Sequence, residues 1–137
     1  MPALHAFDYA LLRLVPYVER EEFINVGVIL YCRSLRFLAC RAHVDADRLA
    51  ALAPDFPFDA ARAQLDLAPL ICAGGPDAGS VGALDQAERF RWLASPRSTA
   101  LQVSTVHCGL CEDPQHALDD LFQRLVAPAT PNQRVWN

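Results

Sequence analysis

The apolar and polar positions of this chain change period along its length. Phe7 to Val15 places apolar residues on both alternating sets, and Pro16 stops it. Phe, Tyr and Val favour a strand there, buried on both faces. Glu22 to Tyr31 is rich in β-branched and aromatic residues and predicts a second strand. Leu35 to Val44 alternates Leu35, Phe37 and Ala39 against Arg36, Leu38 and Cys40, which predicts a third. Short links make these three an antiparallel meander.

The helical period follows. Asp45 can cap a helix through Arg48, Leu49 and Leu52, closed by Pro54. Asp59 can cap another through Ala61, Leu65 and Ala68, with a kink or break expected at Pro69. Cys72 to Gly82 is rich in Gly, Ala and Pro and reads as a loop. A third helix is expected from about Gly82 to Ala94, ended by Pro96. Ser98 to Val106 alternates as a fourth strand, half-buried through Leu101 and Val103. Asp113 and Pro114 open the last helix, whose apolar stripe is Leu118, Leu121, Phe122, Leu125 and Val126. The tail from about residue 128 is expected to be loosely held. This order predicts one α+β domain over residues 1–137. It has two layers: a mainly antiparallel sheet of about four strands with helices packed on one face.

Composition narrows the function. The chain has 137 residues, 53% hydrophobic and 20% charged, with a formal net charge of −4. All 12 basic residues are Arg, spread along the chain without a basic run. No nucleic-acid partner is expected from that charge, and no membrane surface. No apolar run is long enough for a transmembrane helix. Met1 to Tyr9 lacks a basic stretch followed by a long apolar one, so no secretory signal is expected. The cytoplasm is the expected compartment. The five cysteines fit it as reduced thiols, since an odd number cannot all pair within one chain. No phosphate-loop, dinucleotide, serine-hydrolase or zinc-protease string is present. No cofactor is expected.

Several residues remain as candidates. Arg13 on the first strand needs a carboxylate partner if buried, with Glu19, Glu21, Glu22 and Glu88 available. Asn25 and Gly27 interrupt an apolar strand, marking either a bulge or a place where a ligand or partner packs closely. Arg89, Arg91, Arg97 and His107 could form an anion-binding patch or a solvated helix face and turn. Cys108 and Cys111, with His107 and His116 nearby, have a spacing open to metal, to redox chemistry or to a plain turn. Only one such knuckle occurs, so no metal site is assigned.

The stretch Tyr9, Arg13, Pro16, Arg20, Glu22, Asn25, Val26, Gly27, Val28 follows the pattern Y-x-x-x-R-x-x-P-x-x-x-R-x-E-x-x-N-V-G-V. Arg89-Phe90 with Leu93, Pro96-Arg97-Ser98-Thr99, and His107 with Gly109 follow R-F-x-x-L, P-R-S-T and H-x-G. In these motifs the chain resembles the bacterial domain-of-unknown-function family numbered 3037, over nearly its whole length. The resemblance implies a small cytoplasmic protein without an assigned activity. It also implies a regulatory or interaction role beside a HipA-like kinase. Carried over by position, its polar residues are Arg13, Glu22, Asn25, Gly27, Arg89, Arg97, Ser98 and His107. A protein partner is therefore the leading expectation, with a homodimer as a further one. The alternative is an enzyme or ligand-binding protein for a phosphorylated or carboxylated small molecule. It would use an Arg/Glu/Asn/His cluster, with Glu22 or His107 moving the proton.

Overall fold

A computed structural model describes residues 2–96 and 100–128. The expected meander is present as β1 (His5–Leu14), β2 (Ile24–Cys32) and β3 (Phe37–Ala42), all antiparallel. The other edge of β1 carries two short strands end to end. β4 (Leu101–Val103) pairs with Leu12 to Leu14, and β5 (His107–Cys111) pairs with His5 to Tyr9. The sheet therefore has five strands rather than about four.

The break between β4 and β5 falls at Ser104, which is buried. Its N–H donates to the Leu11 carbonyl at 2.8 Å. Its Oγ accepts the Leu11 N–H at 2.8 Å and donates to the Thr105 carbonyl at 2.8 Å. One hydroxyl thus replaces a ladder acceptor, and no buried amide of Leu11 is left unpaired.

The helices differ from expectation in placement. α1 (Ala46–Leu52) follows β3, capped by Asp45 as read from the sequence. α2 (Asp59–Ala73) and α3 (Gln86–Leu93) pack on one face of the sheet, against Leu12, Leu14, Ile24, Val26 and Ile29. α4 (Pro114–Leu125) packs on the other, setting Leu118, Leu121, Phe122 and Val126 on Leu11, Val28, Leu30 and Cys32. The α+β class and antiparallel sheet hold, but helices cover both faces, giving three layers. β1 and β2 are apolar on both sides, so one layer of helices would leave half of their side chains in water.

Smaller differences have local reasons. α2 runs on through Pro69 to Ala73 rather than breaking there. The expected third helix is shorter, with the start of α3 fixed by Asp85 accepting the Glu88 N–H at 2.8 Å, and the stretch read as a loop holds a 3-10 segment, Pro76–Ala83. The tail expected to be loosely held falls beyond residue 128 and outside the described residues. Among the described residues, no helix is long and apolar enough to cross a membrane.

A β-bulge sets the orientation of the lower end of the sheet. Leu12 faces Gly27 but Arg13 faces Asn25, so Val26 is the extra residue. Its carbonyl accepts the His43 N–H at 2.8 Å. A Cβ on Gly27 would lie 3.2 Å from Leu12 Cδ1 and 3.4 Å from the Arg41 carbonyl oxygen. A side chain here would press on Leu12, so glycine eases the close packing at the bulge.

Candidate functional site

The β1–β2 connection holds most of the motif residues. Pro16 follows the end of β1, and a 3-10 turn runs Val18–Arg20. Glu21 then takes a left-handed conformation (φ 54°) that turns the chain back toward β2. This leaves Tyr17, Val18 and Phe23 exposed, at 39%, 57% and 45%. Arg20 pairs with Glu22 on the surface, and that hydrogen bond raises the Arg20 pKa.

Arg13 and Asn25 are cross-strand partners on the sheet face that carries α4. The Arg13 guanidinium lies 4.3 Å from the centre of the Phe23 ring. Its Nε is buried without a hydrogen-bond partner among the described residues. The carboxylate expected for it is not there: Glu22 turns to Arg20 instead. Asn25 Nδ2 donates to the Leu125 carbonyl at 3.1 Å, tying β2 to the last turn of α4. Its Oδ1 is buried and unpaired among the described residues. Arg48 Nη1 donates to the Val126 carbonyl at 3.4 Å. One guanidinium, of Arg48, and one amide, of Asn25, thus meet the negative end of the α4 dipole.

The family model described as a protein of unknown function, DUF3037, matches residues 9–126. The chain belongs to this family. No curated protein and no solved structure matches it. The DUF3037 match starts at Tyr9, four residues before Arg13, and ends at Val126, whose carbonyl takes the Arg48 bond.

The remaining DUF3037 motif residues do not gather around Arg13. Arg89 lies on α3, on the opposite face of the sheet. Its Nη1 donates to the carbonyls of Ile71 at 2.8 Å and Cys72 at 2.6 Å, and its Nε to Leu84 at 3.1 Å. It ties the C-terminal end of α2 to the segment that leads into α3. His107 pairs with Tyr9 on β5, their rings 5.2 Å apart. Tyr9 and Arg13 lie four positions apart along β1, about 13 Å at the usual rise. Arg91 offers its backbone carbonyl to Ser95 Oγ at 2.7 Å. Arg97 and Ser98 lie outside the described residues. The structure brings Arg13 and Asn25 together, places Glu22 and Gly27 nearby in the chain, and separates Arg89 and His107 from them.

His107 to Cys111 is a strand rather than a turn. A spacing of three in a strand sends Cys108 and Cys111 to opposite faces. Cys108 is exposed and Cys111 buried. His116 lies on α4, in a groove with Cys111 and Asp120. Among the described residues, no three His, Cys, Asp or Glu side chains are grouped to hold a metal. Burial pushes the Cys40 thiol up to about 12 and raises that of Cys72. Cys111 is raised by burial and then by neighbouring Cys32. Thiols so shifted are weak nucleophiles at neutral pH.

Sequence reading missed Tyr17, Val18 and Phe23. The signal was three large apolar residues beside the turn between two strands, where polar residues are usual. It also missed Arg48, which reads as an ordinary helix-face residue.

Proposed function

We propose that this DUF3037 chain is a small cytoplasmic bacterial protein that acts as a non-catalytic interaction or regulatory partner. Its partner, as the family resemblance implies, is a HipA-like kinase. The observation that carries this reading is the exposure of Tyr17, Val18 and Phe23 in the β1–β2 connection, with Phe23 against Arg13, in the segment richest in family motif residues. Aromatic residues and Arg are enriched at the centres of protein interfaces, and clustered exposed apolar residues mark docking surfaces.

An enzymatic reading needs Arg13, Glu22, Arg89 and His107 to converge on one substrate. Arg89 is instead committed to three backbone carbonyls across the sheet, and Glu22 to Arg20. That separation favours the interaction reading. Co-purification of the tagged chain with a HipA-like kinase tests the proposal. A stoichiometric complex is expected, and reproducible failure to associate overturns it.

A further inference from the structure

We propose that Arg13 is the anchor of this surface, and that it holds a carboxylate side chain presented by a protein partner. The inference rests on the interaction reading above and names the partner's chemistry at that site.

Arg13 is a half-buried cation whose Nε has no acceptor among the described residues. None of the described carboxylates pairs with it, although Glu19, Glu21 and Glu22 follow closely in the chain. Removing a guanidinium from water without a counter-charge is unfavourable, and native proteins satisfy such groups. Among the described residues no carboxylate balances Arg13, which leaves its charge open to one that a partner brings.

The geometry selects the ligand. The Phe23 ring fixes the guanidinium plane from one side. Nε is the guanidinium nitrogen that is buried, so the Nη groups form the outward edge. Two parallel Nη donors match the two oxygens of a carboxylate. Preorganisation on the ring reduces the ordering that binding requires. Asn25 Nδ2 is engaged by Leu125, which turns the unpaired Oδ1 toward a donor rather than an acceptor. Tyr17 and Val18, exposed in the same β1–β2 connection, are the apolar residues available to a partner there.

A carboxylate is favoured over a phosphate by charge. Arg20 is neutralised by Glu22, and Arg48 is turned to the Val126 carbonyl. One open guanidinium balances one negative charge. The neighbouring Glu19 and Glu21 repel a dianion more strongly than a monoanion.

The test uses the full chain labelled with nitrogen-15 and observes the arginine Nε–Hε signals. The probe is the blocked peptide acetyl-Leu-Glu-Phe-amide, with acetyl-Leu-Gln-Phe-amide and inorganic phosphate as separate arms. The Arg13 signal is expected to shift saturably with the Glu peptide, at least about tenfold more tightly than with the Gln peptide. Arg13→Lys keeps the charge but loses the fork, and is expected to bind the Glu peptide more weakly. Equal response to both peptides, or a stronger response to phosphate, overturns the anchor. The peptide titration decides the anchor even if the kinase does not associate. Kinase association that Arg13→Gln leaves unchanged removes the anchor and keeps the interaction reading.

Discussion

The Arg13 guanidinium stacks on the Phe23 ring at 4.3 Å, with no carboxylate among the described residues to balance it. The aromatic ring is thus the main support of a half-buried cation. Replacing Phe23 by Leu keeps an apolar contact but removes the ring face. A loss of about 0.5–1 kcal/mol is expected, read as a lower urea midpoint, while Phe23→Tyr stays near wild type.

Ser104 is the hinge between β4 and β5. Ser104→Ala removes the acceptor for the buried Leu11 N–H and leaves that donor unpaired. The expected loss is about 1–3 kcal/mol, measured by urea unfolding. Hydrogen exchange at the Leu11 amide should quicken in the same variant.

Arg89 separates structure from recognition. Arg89→Met keeps the stem and removes the donors to Ile71, Cys72 and Leu84. Stability should fall by about 1–3 kcal/mol. The affinity of the folded fraction for a partner should stay at the wild-type value, because Arg89 and Arg13 lie on opposite faces.

The buried thiols give a pH dependence of definite sign. The Cys40 pKa rises from 9.0 to about 12 through burial, and Cys72 shifts the same way. Below pH 9 both states hold the proton and the full stability is present. As pH rises from 9 toward 12, the unfolded thiol ionises while the folded one does not, so stability falls. The slope should be about 1 kcal/mol per pH unit for each thiol, and a Cys40→Ala, Cys72→Ala double variant should flatten it. Urea midpoints between pH 8 and pH 10 measure both slopes.

Much of this fold was legible from local pattern. β1 to β3 follow from short, apolar, β-branched runs, and α4 from Asp113, Pro114 and a single apolar stripe. The layer count was harder to read. Both sides of β1 and β2 are apolar, but which helix covers which side depends on non-local packing. The split of the last strand at Ser104 was hidden for the same reason: His107 to Cys111 lacks strand formers, and pairing with β1 makes it a strand. At the site, the Arg13–Asn25 pair follows from the bulge that Gly27 signals. The pairing of Arg13 could not be read, because three nearby glutamates offered themselves and the left-handed turn at Glu21 leaves Glu22 with Arg20.

Calorimetric titration of the proposed partner, a HipA-like kinase, with the wild-type chain and with Val18→Asp tests the interaction reading most directly. Val18 is 57% exposed, so the charge should leave the melting temperature unchanged. Wild type should bind, and Val18→Asp should weaken binding by about thirtyfold, as expected when an unpaired polar group is buried at a cost of roughly 2 kcal/mol. No heat of association from wild type, or equal affinities for the two chains, would contradict the account.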